Sequence, residues 1–235
     1  MDTTLFTDKK TGDLIPIKVN GDDDHAFVPY KLPANWKFTN DLWPKLCEAK
    51  EALARLDVTG GKLPDHQLLL SPLKRNEALT SSRMEGTYAT AEELIMFEMN
   101  PSKPKSATDN ANAWQEVANY NSALTHGIEQ LNHLPFCLKL FCELHHILLN
   151  EVRGHFTLVG EFRKKQVAIG SNRRYVAPPE NRLMETLNDL EIYINSDNDE
   201  FDPLIRAFMV HYQFEAIHPF GDGNGRIGRL LLSLM

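Results

Sequence analysis

Residues 218–229 read His-Pro-Phe-Gly-Asp-Gly-Asn-Gly-Arg-Ile-Gly-Arg. Gly221, Gly223 and Gly225 let backbone amides converge on an anion. A helix starting near Asn224 would add free N–H groups and the positive end of its dipole. Arg226 and Arg229 stand three apart, on the polar side away from the following leucines, and two guanidinium groups beside a helix start suit a polyphosphate. Asp222 alone would repel phosphate. It fits if a magnesium ion (Mg2+) joins them, because that ion takes one carboxylate plus phosphate oxygens. His218 carries an imidazole of ordinary pKa about 6.5, able at neutral pH to take the proton of a hydroxyl attacking phosphorus. Each feature alone is commonplace: a turn histidine, a surface D-G-N-G, solvated arginines. Their conjunction in one short run carries the reading.

The flanking elements decide which phosphate site this is. Ile205, Phe208, Met209, Tyr212 and Ile217 follow helical spacing before the loop. Ile227, Leu230, Leu231 and Leu234 form a stripe at i, i+3, i+4 and i+7 after it. The unit is helix, glycine-rich loop, helix. Gly223 to Gly228 formally matches G-x-G-x-x-G, but a dinucleotide fold needs a strand before it, and the lysine of a Walker A loop is missing.

Elsewhere the pattern is also helical. A helix is expected over 39–56, with Pro44 in its first turn and Gly60-Gly61 stopping it. A second follows Pro64, with Leu69, Leu73, Thr80 and Met84 as its core face and Gly86 at its end. Thr90 and Glu93 make a capping box for a short helix through Phe97. Trp114, Val117, Leu124, Ile128 and Leu131 mark a long helix. Pro135 opens another, striped by Phe136, Leu140, Leu144, Ile147 and Leu148, ending by Gly154. Val167 to Ala177 alternates around Gly170-Ser171-Asn172 and closes on Pro178-Pro179, a β-hairpin. Two helices follow, over about 180–195 and 202–217. Residues 1 to about 35 lack periodicity and read as an extended lead-in. Residues 100–107 are the linker candidate, which divides a helical N-terminal region, 1–105, from a core, 106–235. The fold class expected is all-α, mainly a helical bundle, with one β-hairpin flap. The last helix reaches Met235 without a cap signal, so the natural domain is expected to continue.

Composition narrows the class. The chain has 235 residues, 42% hydrophobic and 24% charged, with 25 Lys+Arg against 32 Asp+Glu and a net charge of -7. It is not a basic nucleic-acid binder overall. Cys47, Cys137 and Cys142 form no C-x-x-C pair and are expected to be buried free thiols in a reducing compartment. No signal peptide is legible, and no apolar run reaches the ~20 residues that span a bilayer. A cytoplasmic location is expected. His145-His146 beside Glu143 do not suit one metal ion, since adjacent helical residues point about 100° apart. The stretch 197–202 lacks the glycine and closing glutamate of a calcium loop. Arg163-Lys-Lys165 and Arg173-Arg174 flank the hairpin and fit a target-protein or solvated role better than nucleic acid.

The run 218–229 resembles the Fic domain signature, H-x-F-x-[DE]-G-N-G-R-x-x-R, at every fixed position. The likeness extends to Glu143–Leu149, Val152-Arg-Gly154, Gly160-Glu-Phe-Arg163, the Val167–Ala177 hairpin, Leu68–Leu73 and Glu77–Gly86, covering roughly residues 30–235. It implies a protein adenylyltransferase that uses ATP and Mg2+ to attach AMP to a Ser, Thr or Tyr hydroxyl of a target protein, and to itself, releasing pyrophosphate. His218 would then be the general base and Asp222 the metal ligand. Gly223, Asn224 and Gly225 would form the anion pocket, continued by Ile227 and Gly228. Arg226 and Arg229 would hold the β- and γ-phosphates, Phe220 would anchor the loop, and the hairpin would align the target by strand addition. Phosphorylating members carry Ala-Asn-Lys-Arg where this chain has Gly-Asn-Gly-Arg. Ser81-Ser-Arg-Met-Glu85-Gly86 resembles the family's inhibitory motif. Ser81 and Glu85 share a helix face, and a glutamate at a helix C-terminus needs a cation. A Glu85–Arg229 ion pair in the γ-phosphate's place is expected to hold ATP in an unproductive pose. The alternatives are a hydrolase that removes AMP, with Glu85 placing water, and a non-catalytic ATP-sensing regulator. Partners implied are ATP and the hydroxyl-bearing target, with a homodimer allowed, no membrane, and nucleic acid only through a module beyond Met235.

Overall fold

The computed structural model describes residues 1–6, 11–19, 21–34, 37–64, 67–106, 108–152, 158–197 and 200–235. Ala107, Arg153, Gly154 and two positions of the 197–202 stretch lie outside the described residues.

Two strands come first. β1 (Gly12–Val19) and β2 (Asp22–Pro29) pair antiparallel, Gly12 opposite Pro29, where an extended lead-in was expected. The period of two is hidden because Ala26, Phe27, Val28 and Pro29 are buried in a row. A strand covered on both faces reads as a continuous apolar run. α1 (Leu42–Gly60) stops at the glycine pair and buries only Leu46. α2 (Gln67–Met84) departs from its expected face: Leu69, Leu73, Thr80 and Met84 are all exposed, while Ala78, Ser81 and Ser82 point inward. α2 packs on α4 (Ala111–Leu131), and small residues let the two backbones approach. Counting large apolar residues therefore selects the wrong side.

α3 (Ala91–Met99) begins with the expected capping box. Glu93 N–H donates to Thr90 Oγ1 at 3.2 Å, and Thr90 N–H donates to Glu93 Oε2 at 2.8 Å. α5 (Leu138–Leu148) starts three residues after Pro135. The flap strands β3 (Ala168–Ile169) and β4 (Tyr175–Val176) are short and antiparallel. α6 (Glu180–Ile194), α7 (Pro203–Ile217) and α8 (Asn224–Leu234) complete eight α-helices among the described residues. Asp202 caps α7 by accepting from Leu204 N–H at 3.0 Å.

One core joins Val117, Tyr120 and Leu124 of α4, Phe141, Leu144 and Leu148 of α5, Leu187 of α6, Phe214 and Ile217 of α7, and Ile227, Leu230 and Leu231 of α8. Ala78 and Leu94 belong to it too, so α2 and α3 share the core that carries the loop 218–229. The β1–β2 hairpin braces the flap. Phe27 lies 6.0 Å from the Tyr175 ring, Arg173 pairs with Asp24 at 3.2 Å, and Gln213 Nε2 donates to Tyr30 O at 2.9 Å. Cys47 is exposed and the other two cysteines are half-buried, against the expectation of buried thiols. Among the described residues no helix is long and apolar enough to cross a membrane.

The capping box lies at the protein surface, away from the loop. Thr90→Ala should lower unfolding free energy by about 1 kcal/mol in urea titrations. An unchanged midpoint would mean the box contributes nothing.

Candidate active site

α7 ends in a left-handed residue. His218 has φ 51° and ψ 61°, and its N–H donates to Phe214 O at 2.9 Å. That conformation costs on the order of 1–2 kcal/mol for a residue with a Cβ, so the surroundings must hold it. Asn224 does so from the first turn of α8. Its Oδ1 accepts from Phe220 N–H at 2.9 Å and its Nδ2 donates to Phe220 O at 2.8 Å. Phe220 is fully buried and stacks on His145 of α5, centroids 3.9 Å apart and planes 4° from parallel. His145 Nδ1 accepts from Gly160 N–H at 2.9 Å, which leaves the proton on Nε2 to donate to Asp222 O at 3.1 Å. Burial pushes the His145 pKa down to about 4, so the ring is neutral. Gly223, at φ 74°, turns the chain into α8.

Glu85 closes the start of α8. A Cβ added at Gly225 would collide with Glu85 Oε1, and Arg229 Nη1 lies 3.1 Å from the same position. The missing side chain is what admits the carboxylate. Arg229 Nη2 donates to Glu85 Oε1 at 2.5 Å and to Ser81 O at 3.1 Å, and Nε donates to Ser81 Oγ at 2.8 Å. The ion pair expected between Glu85 and Arg229 is present. Gly86 follows in the left-handed region at φ 84° and is exposed.

Arg226 is not where the pattern puts it. It is buried, not on a polar face, and Nη1 donates to Glu116 Oε2 at 3.3 Å. Thr87 Oγ1 donates to the same oxygen at 2.6 Å. A buried guanidinium needs a counter-ion, and α4 supplies one across its contact with α8. Its Nε has no hydrogen-bond partner among the described residues. Ile227 lies in the core, and a Cβ on Gly228 would strike Glu215 of α7, so these two face inward. Asp222 is exposed, its Oδ1 accepting from Gly223 N–H at 2.7 Å. The structure thus gathers Ser81, Glu85, Gly225 and Arg229 at one point, with Asp222 and His218 on the adjoining loop.

Burial, reinforced by the positive charge of Arg163, pushes the His218 pKa down to about 4, so at pH 7 its imidazole is neutral. His218 Nδ1 is buried without a hydrogen-bond partner among the described residues. His145, Glu116 and Arg163 escaped notice as site residues. A histidine in a leucine stripe, a glutamate in an amphipathic helix and an arginine beside two lysines carry no signal of their own. Arg163 is buried, while Lys164 and Lys165 are exposed.

A carboxylate seated at a helix start beside a guanidinium, with a neutral imidazole on the preceding turn and a short hairpin alongside, defines a helical protein with a built anion site. Models described as Fic/DOC family N-terminal and Fic/DOC family match residues 43–129 and 135–235, and the chain belongs to the Fic/DOC family. It is 39% identical over 101 residues to the "Protein adenylyltransferase Fic" of Aedes aegypti, a match covering 42% of this chain and 19% of that protein. It is likewise 39% identical over 77 residues to "Protein adenylyltransferase fic-1" of Caenorhabditis elegans, covering 32% of this chain and 15% of that protein. The matches thus span about a fifth or less of these relatives' length. A Fic family protein from Desulfovibrio desulfuricans superposes with TM-score 0.65 at 25% identity, covering 85% of this chain and 58% of that one. Fic-1 from C. elegans superposes at 0.62 with 23% identity, over 81% and 58%.

His145 gives stability a pH dependence. Its folded pKa, about 4, lies below the unfolded value of about 6.5, so the unfolded chain takes up the proton first. The contribution is complete above the unfolded value and is lost as pH falls through the folded one. His218 acts with the same sign. Urea unfolding measured from pH 8 to 4 should show stability falling below about 6.5, and His145→Gln should flatten that slope. An unaltered slope in the variant would show that His145 is not held neutral.

Proposed function

We propose that this chain is the catalytic part of a protein adenylyltransferase, held inactive by Glu85. The observation that carries the reading is a carboxylate seated on Gly225 at the start of α8 and paired with Arg229. A helix start with a guanidinium beside it is an anion site, and here the protein's own anion fills it. The named relatives at 39% identity support AMP transfer as the reaction.

ATP is the nucleotide. Its α-phosphate lies near Gly223 and Asn224, and its terminal phosphate belongs where Glu85 now meets Arg229. The target's hydroxyl oxygen attacks the α-phosphorus, the bond from that phosphorus to the bridging oxygen breaks, and pyrophosphate leaves. The hydroxyl proton goes to His218, which is neutral and able to accept it. Arg229 acts on the departing phosphates once Glu85 has moved. Arg226 acts with them only after releasing Glu116; otherwise it supports α8 from beneath.

Magnesium fits the donors present. Asp222 is an exposed carboxylate beside the anion site, and among the described residues no cluster of three or more His, Cys, Asp or Glu could hold an ion alone. An ion taking most ligands from phosphate and water, with one carboxylate, matches that set. When bound it neutralises charge on the phosphates. The flap holds an extended stretch of the target by strand pairing; Ala168 and Ile169 are exposed for it. Three unpaired thiols agree with a cytoplasmic location.

The test incubates α-labelled ATP, Mg2+ and cell lysate with the chain. Glu85→Gly should raise labelling of target and of the chain itself. His218→Ala in that background should lower transfer by about 10²–10⁴-fold and leave ATP binding intact. No rise with Glu85→Gly sinks the brake. If that variant instead loses hydrolysis of an already modified protein, AMP removal is the reaction. ATP binding without any labelled protein points to a sensor.

A further inference from the structure

Arg163 is the most heavily committed side chain near the base. Nε donates to His218 O at 2.9 Å, Nη1 to Lys165 O at 3.1 Å, and Nη2 to Pro178 O at 2.6 Å and Ile217 O at 3.4 Å. Its own N–H donates to Pro219 O at 2.9 Å. The partners fall in two groups. Lys165 and Pro178 are the entry and exit of the flap hairpin; residues 217–219 are the end of α7 and the turn that holds His218.

The side chain is buried, and burial pushes its pKa down to about 10. Its hydrogen-bond acceptors among the described residues are all backbone carbonyls, and Glu180 acts on the charge only through space. A planar fork with five donors can bridge backbone groups on two segments at once; an ammonium reaches from a single point. Other bonds reinforce the joint. Gln166 Nε2 donates to Ala177 O at 2.6 Å, and Tyr175 Oη donates to Ala216 O at 2.5 Å. Tyr175 is half-buried against Phe6 and Phe27, so these rings press the flap onto Ala216, next to the carbonyls that Arg163 holds.

We infer that Arg163 is a positioning residue: it ties both stems of the flap to the carbonyls around His218, fixing the distance between the strand that holds the target and the atom that takes its proton. The inference rests on the proposed role of His218 as that acceptor. Arg163 touches neither nucleotide nor target. It acts because a hydroxyl must sit within hydrogen-bond reach of the base, and a misplacement of 1 Å can lower the rate about 10²-fold.

The test uses the Glu85→Gly chain, with Arg163→Lys and Arg163→Gln added separately. Arg206→Lys is the control. It is an arginine of α7 that likewise bridges carbonyls, donating to Tyr193 O and Ser196 O, remote from the loop. Kinetics are compared at equal folded fraction. Arg163→Lys should lower kcat/KM for the target by roughly 10-fold to 10²-fold, through a higher KM and a lower kcat, while ATP affinity changes less than about twofold. Arg163→Gln should do the same or worse; Arg206→Lys should leave both values as in the parent. Amide hydrogen exchange gives a readout independent of transfer: residues 165–178 and 216–219 should lose protection together in both Arg163 variants and not in the control. Full target kcat/KM in Arg163→Lys, or a parallel loss of ATP affinity, overturns the inference. So does exchange that loosens the flap and leaves 216–219 protected. Coupled exchange in a parent that labels nothing supports the brace and counts against the proposed reaction instead.

Discussion

Everything at the site hangs on how the chain turns between α7 and α8. Asn224 holds both the N–H and the carbonyl of Phe220, and Phe220 is clamped against His145. Those contacts keep His218 in a conformation that a histidine does not adopt by preference. They also aim the start of α8 at the place where Glu85 lies. A buried amide that makes both of its bonds to one residue is worth more than its net hydrogen-bond energy, because losing it would leave buried polar groups unpaired. His145 extends the same lock outward: one ring nitrogen holds Asp222, the other Gly160. The His218 turn, the loop and the flap entry are thus referred to one buried ring.

The two arginine–glutamate pairs of α8 are of different strength. Arg229 and Glu85 are partly exposed, at 19% and 40% of side-chain surface, and such a pair contributes about 1 kcal/mol or less by itself. Two further bonds from Arg229 to Ser81 hold the guanidinium in place. The contact therefore holds Glu85 over the start of α8 through several weak bonds rather than one strong one. Arg226 and Glu116 are the opposite case. Both are buried, and removing one would strand the other's charge. The two arginines of one motif thus sit differently, one in a partly exposed contact and one in a buried seam.

Much of the architecture is legible along the chain. The capping box at Thr90, the glycine stop after α1, the hairpin around Gly170 and the helix opening at Asn224 come from local rules, and each has a short-range cause. The misreadings are of one kind. The α2 face, the β1–β2 hairpin and the burial of Arg226 depend on what packs against them. Ala78, Ser81 and Ser82 look like a polar interruption until α4 is laid across them. Asp24 looks like part of a loose acidic run until Arg173 of the flap is beside it. Hydrophobic spacing reports which side of an element is greasy; it does not report how closely a neighbour will approach.

The sequence alone pointed to the chemistry: an imidazole, a carboxylate, four glycines and two guanidinium groups in one short run fit phosphate handling, and Ser81 with Glu85 on one helix face already asks for a cation. These are local facts, since backbone freedom, charge and helix periodicity act over a few residues. Only the tertiary structure decided which cation Glu85 meets, that Arg226 is withdrawn into a seam with Glu116, and that Arg163 joins the flap to the turn at His218. Those are contacts between residues dozens of positions apart. Their energies depend on burial and approach distance, which exist only once the helices are packed.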